Sequence, residues 1–297
     1  MQLHASDDDE AVTSLYFGDA PTSLGDPEQP MLALSAAIGG HTRVAYLAEL
    51  GRLAAQAGRY DDAWSYLQRV LQLQQAEPHP PAVVARTLCE LAVVAIRRDD
   101  LSTGRILLTD AAALTPDIHP SVLHNLGYLA RRDGALDTAE SLYTDALTLK
   151  ISAGGWRQAT VAATLGAIGQ LQLLRDQPLA ALRSLLPARH IYELCGSAVS
   201  SGMAFTLMAM GRAYLKLHMY EHASAALDRA VAIREAIPVP PDQLACARYH
   251  LALALWPIQP DAAITLVRAT LGEYRQSPGA RPTYVHTLQS WLEARCN

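Results

Sequence analysis

Apolar residues recur along this chain at helical spacing, in paired segments broken by short polar turns. Within 43–56, Val44, Leu47, Leu50, Leu53 and Ala54 fall on one stripe. Steps of three and four residues place such side chains on one helix face. Ala57-Gly58-Arg59-Tyr60-Asp61 supplies a tight turn, and Ala63, Leu67, Val70 and Leu71 resume the stripe. The two segments predict one helical hairpin. The same pattern returns in 84–114, 121–149, 160–192, 203–237 and 243–274. Pro78-His79-Pro80-Pro81, Pro116 to Pro120, Gly154-Gly155, Gly196-Ser197 and Pro238-Val239-Pro240-Pro241 separate the pairs. Proline lacks the backbone donor and clashes with the preceding turn, so these segments bound the hairpins. A lone amphipathic helix over 283–295, carrying Val285, Leu288, Trp291 and Leu292, comes last.

A small residue near the start of each second helix marks a repeat. Ala63, Gly104, Ala139, Ala181, Ala223 and Ala263 are separated by 41, 35, 42, 42 and 40 residues. A period of this size means stacked hairpins, none able to bury its apolar face alone. The predicted fold is all-α: a right-handed superhelical solenoid of about six hairpins over 43–275. Residues 276–297 are expected to provide a C-terminal capping helix, because a terminal repeat needs its apolar side covered. Residues 29–42 are expected to form an N-terminal cap helix.

Composition narrows the function. The chain of 297 residues is 50% hydrophobic and 18% charged, with only two Phe, so leucine and alanine carry the packing. Residues 1–28 hold Asp7, Asp8, Asp9, Glu10, Asp19, Asp26 and Glu28 with no Lys or Arg, and read as a flexible acidic tail. The rest is nearly balanced, without the concentrated basic face that nucleic acid requires. The start lacks the basic and apolar regions of a signal peptide, and no apolar run is long enough to span a bilayer. Cys89, Cys195, Cys246 and Cys296 are widely separated and form no CxxC, so free thiols and a cytoplasmic location are expected.

Aligned on the turns, the hairpins resemble tetratricopeptide repeats. Small residues recur in the first helix at Gly51, Ala92, Gly127, Gly169, Gly211 and Ala252, and in the second at Ala111, Ala146, Ala188 and Ala230. Tyr60, Leu101, Leu136 and Tyr220 stand three before the marker residue, with Pro178 departing from the pattern. The period near 42 is similar to the kinesin-light-chain subclass. The best match runs from His119-Pro120-Ser121 through Asn125-Leu126-Gly127 to Ala146-Leu147. The resemblance implies a superhelix whose first helices line a concave groove for another protein or an extended peptide.

In that register the groove positions include Arg52, Arg86, Glu90, His124, Asn125, Tyr128, Arg131, Gln170, Arg212 and Tyr249. Asn125 is placed to hydrogen-bond the backbone of an extended peptide, and Arg52, Arg86 and Arg212 to attract its carboxylates. By resemblance the ligand is acidic and aromatic. Ala48 and Arg52 stand where a carboxylate-clamping repeat would carry its Lys/Asn pair, which argues against chaperone docking.

His218-Met219-Tyr220-Glu221-His222 reads as HxxEH, but Tyr220 falls at the turn, so the string is expected to straddle two helices. GxxxxGK, GxSxG and dinucleotide fingerprints are absent. The expected function is thus a non-catalytic, cofactor-free binding scaffold. The alternative is a signalling regulator whose solenoid changes shape when a peptide fills it. Tethered beside the groove, Asp7–Glu10 followed by Leu15-Tyr16-Phe17 would also be positioned to occlude it.

Overall fold

The computed structural model describes residues 40–114, 119–237, 239–278 and 280–296. The acidic tail and most of the expected N-terminal cap helix lie outside these residues. The described residues form thirteen α-helices. We number them α1 (Gly40–Gln56), α2 (Tyr60–Ala76), α3 (Pro81–Arg97), α4 (Leu101–Ala113), α5 (Pro120–Arg132), α6 (Leu136–Gly154) and α7 (Ala159–Leu174). The remainder are α8 (Pro178–Leu194), α9 (Ser201–Lys216), α10 (Tyr220–Ala236), α11 (Pro241–Leu255), α12 (Pro260–Gln276) and α13 (Pro282–Cys296). They pair as six hairpins, α1/α2 to α11/α12, followed by α13. Among the described residues no helix is long and apolar enough to cross a membrane.

Local chemistry sets the helix boundaries. Pro81, Pro120, Pro178, Pro241, Pro260 and Pro282 each open a helix, where a missing N–H costs nothing because the first turn has no acceptor for it. Asp100 caps α4, its Oδ1 accepting from the Thr103 N–H at 3.0 Å and the Ser102 hydroxyl at 2.7 Å. Hydrogen bonds from Thr103 and Ser102 hold its carboxyl down to about 2.

One joint recurs within the hairpins. Gly58, Asp99, Gly134, Asp176 and His218 all have positive φ, and each lies five residues before the small residue that marks its repeat. In each case the next N–H reaches back five positions, from Arg59 to Ala54, Asp100 to Ala95, Ala135 to Ala130, Gln177 to Gln172 and Met219 to Tyr214, all at 2.9 Å. This closure satisfies carbonyls that the helix end would leave unpaired. The sixth hairpin turns differently. Trp256 stays right-handed, and its N–H bonds Ala252 at 2.9 Å. The small first-helix residue there stands eleven positions before the marker rather than twelve.

The core follows the repeat. Four positions beyond each marker, Leu67, Leu108, Tyr143, Leu185, Leu227 and Val267 are fully buried. Their packing sets the close approach of paired helices. A Cβ on Gly127 would sit 2.8 Å from the Tyr143 ring, and one on Gly211 only 2.3 Å from Leu227 Cγ. Only glycine admits the facing side chain at those two positions.

By packing, the described residues divide into two compact units, one up to Leu149 and one from Lys150 onward. In the second unit, α13 packs on α12 and sets Trp291 5.7 Å from Trp256 and 6.5 Å from Tyr249 between ring centroids. Arg295 lies over both tryptophan rings. Leu288 and Trp291 are buried, as a capping role requires.

Candidate protein-binding face

Charge is sorted by helix in the first unit. The first helices α1, α3 and α5 carry Arg43, Arg52, Arg86, Arg97, Arg131 and Arg132 against Glu49 and Glu90. The second helices, up to Leu149, carry Asp61, Asp62, Asp110, Asp137, Glu140 and Asp145 against Arg69 and Arg105. Opposite charges thus mark the two helix sets, and the first helices form the cationic one.

Arg52 anchors the accessible part. Its guanidinium pairs with Glu49 one turn back on α1 and lies 3.8 Å from Glu90 on α3. Arg86 is exposed one turn before Glu90 on α3. Burial pushes the Glu90 carboxyl up to about 7, with Arg52 and Arg86 pulling against that rise and Glu49 adding to it. Near neutral pH Glu90 therefore neutralises the arginines only in part.

A less accessible layer surrounds Tyr128. Arg132 Nη1 donates to the Tyr128 hydroxyl at 3.2 Å, and the Arg131 guanidinium stands 5.2 Å from the ring centre. Burial pushes Tyr143 up to about 12 against the nearby charge of Arg131. Burial also pulls Arg97 down, opposed by Tyr60 and Tyr128. Arg131 is buried, and its Nη2 makes no hydrogen bond. Desolvating a guanidinium without a carboxylate is costly, and the tyrosine rings return part of that cost.

The structure revises several expected contacts. Asn125 is fully buried and donates from Nδ2 to Cys89 Sγ at 3.3 Å, so it joins α5 to α3 instead of presenting an amide to a peptide. Its Oδ1 has no hydrogen-bond partner. Tyr128, His124 and Gln170 are likewise buried. Tyr249 is enclosed with Tyr284 and Trp291 beneath α13. In each case the first helix is packed by neighbours on more than its partner's side. Arg52 and Arg212 are half-buried and Arg86 is exposed, leaving these arginines as the accessible members of the expected set. Arg52 and Arg86 belong to the first unit, Gln170, Arg212 and Tyr249 to the second.

Sequence periodicity did not reveal the buried polar ties between neighbouring helices. Lys150 donates to Thr164 Oγ1 at 2.8 Å and to the Thr160 carbonyl at 3.3 Å. Arg234 Nη1 donates to the Gln243 carbonyl at 2.5 Å. His218 occupies a left-handed turn and its Nδ1 lies 2.9 Å from the Tyr220 hydroxyl, whereas His222 sits on α10 against the Tyr214 ring. The HxxEH string therefore does not lie on one helix.

The geometry can be compared with known proteins. The tetratricopeptide repeat family model matches residues 46–81 and 122–155. No curated protein matches the sequence. Among solved structures, BtubC (BKLC) from P. vanneervenii is similar at TM-score 0.58 and 17% identity, covering 77% of this chain and 95% of its own. The APC/C hetero-tetramer Cut9-Hcn1 is similar at TM-score 0.67 and 16% identity, with 87% of this chain matching 46% of that one. PilF of Pseudomonas aeruginosa is similar at TM-score 0.57 and 14% identity, over 85% of this chain and 99% of that one. At such identities the structures share the fold alone. The two matched segments fall on hairpins that share the recurring joint, so the chain carries tetratricopeptide-like repeats within a stack of helical hairpins.

Proposed function

We propose that this chain is a non-catalytic, cytoplasmic scaffold that binds another protein through an extended acidic segment. Residues 40–149 receive that segment on the face formed by α1, α3 and α5. The carrying observation is the placement of six arginines and two glutamates on these first helices, with the opposite balance on the second helices. Arg52 and Arg86 supply the accessible cations, and their planar forks suit carboxylates. Aromatic residues in the ligand would add contact area at low entropic cost. An arriving carboxylate disfavours the charge on Glu90, so binding is coupled to proton uptake. Affinity should therefore rise as pH falls through about 7.

The test is fluorescence anisotropy with a labelled peptide of alternating glutamate and tryptophan. Arg52→Ala/Arg86→Ala should weaken binding at least about tenfold, as loss of two charge-assisted contacts implies. Added salt should weaken the wild-type complex and have less effect on the variant. Equal affinities for wild type and variant, or stronger binding of a lysine-tryptophan peptide, would place the ligand elsewhere.

A further inference from the structure

The hairpins supply their own baseline for a solvent-facing second helix. Two positions before the marker residue, five of the six second helices carry Asp61, Ser102, Asp137, Glu221 and Asp261. Five positions after it they carry Gln68, Thr109, Thr144, Asp228 and Arg268. Thirteen after it, the described equivalents are Ala76, Ser152, Ala236 and Gln276. At the same three places α8 has Leu179, Leu186 and Leu194, respectively 62%, 38% and 46% exposed.

Steps of seven and eight residues keep these leucines on one side of α8, opposite Ala181, Leu185 and Ala188, which are buried. Val199, 54% exposed, follows beyond the helix end. Repeat-to-repeat stacking cannot explain the stripe, because the sibling helices stack without one. Exposed leucines arranged as a helical stripe mark a surface meant to be covered.

The residues between the leucines specify the cover. Arg183 and His190 are exposed along the same side. The neighbouring Glu193 is already engaged, accepting from Arg229 at 2.7 Å. Pro187 also lies there, and its missing N–H removes the bond that the Arg183 carbonyl would otherwise accept. The face is therefore apolar, with the Arg183 guanidinium exposed between its leucines. A second copy fits poorly: antiparallel pairing centred between Leu186 and Pro187 would set Arg183 opposite His190 and give its guanidinium no carboxylate. We propose that this side of α8 docks an amphipathic helix of a partner protein, with leucines at heptad spacing and carboxylates between them. It is a second interface, separate from the face formed by α1, α3 and α5.

The experiment titrates full-length protein with two synthetic helices that share heptad leucines, one carrying glutamates between them and the other lysines. Wild type should bind the glutamate helix. Leu179→Asp/Leu186→Thr, which installs residues found on sibling helices, should weaken that binding at least about tenfold, the scale expected for losing central apolar anchors. The melting temperature should be unchanged, because both side chains are exposed. Arg183→Ala should weaken binding less, and Arg52→Ala/Arg86→Ala not at all, which separates this interface from the first.

The proposal is overturned if wild type does not bind the glutamate helix. Equal binding by the leucine variant, or equal binding of the lysine helix, also overturns it. Sedimentation equilibrium supplies a further arm: self-association abolished by the leucine variant would make a second copy the occupant and refute the partner helix.

Discussion

The two units use the same hairpin and distribute their chemistry in opposite ways. Up to Leu149, first helices concentrate arginine and the outer positions of second helices are mostly polar. From Lys150 onward, α7 contains no charged residue at all, and α8 turns leucines outward. In α9, every residue from Met203 to Gly211 is buried, including three methionines. A repeat fixes where a side chain sits and leaves open which of its faces is adapted for recognition. One unit has adapted its first helices and the other a second helix.

The largest effect expected within this comparison is steric. Gly211→Val should destabilise the second unit by about 3 kcal/mol or more, since its branched carbon must displace buried Leu227. Hydrogen exchange should show the loss in α9 and α10. If α1 to α4 lose protection equally, the two units unfold as one and the comparison fails as a statement about stability.

Glu90→Gln probes the first unit through its electrostatics. The Glu90 carboxyl rises from 4.5 when free to about 7 when folded. The protonated form is therefore favoured by folding, and its stabilising contribution is fully present below 4.5. That contribution falls away as pH rises towards 7. Removing the charge should stabilise the protein at pH 8 by about 2 kcal/mol and have little effect at pH 4. Denaturant melts at the two pH values measure the difference. A penalty at pH 8 would mean that the ion pair with Arg52 outweighs desolvation.

Ser200→Ala should have the smallest effect. The Ser200 hydroxyl accepts from the Met203 N–H at 3.2 Å and caps α9. Its removal should cost about 1 kcal/mol. A melt unchanged within a few tenths would show that packing of the methionine-rich helix, rather than its cap, sets its start.

Hairpin number and turn position could be read because Gly58 and Gly134 punctuate the pattern and proline opens so many helices. The left-handed roles of Asp99, Asp176 and His218 were less visible, since those residues also sit in ordinary turns and caps. The repeat register put Asn125 and Tyr128 in the groove, and periodicity gave no sign that both are buried. It ranks a helix's faces by apolarity, whereas a first helix is covered from several directions and buries polar residues too. In α7, apolar residues surround the helix and leave no stripe to read. Tyr249 is buried for a longer-range reason: α13, some forty residues later, supplies Trp291 to cover it. The α8 leucines could be seen in the sequence, but only the register and exposure of all six second helices make them exceptional.

The recurring left-handed joint makes the hairpins interchangeable parts. A second helix joined by the same six-residue closure can be exchanged for another without re-aiming the helix before it. Because α8 and α10 enter through equivalent joints at Asp176 and His218, Leu179, Leu186 and Leu194 have direct counterparts at Glu221, Asp228 and Ala236. Recombination between repeats could move an entire docking surface by one hairpin in a single event. The sixth hairpin, which turns without that joint, would not accept the same exchange.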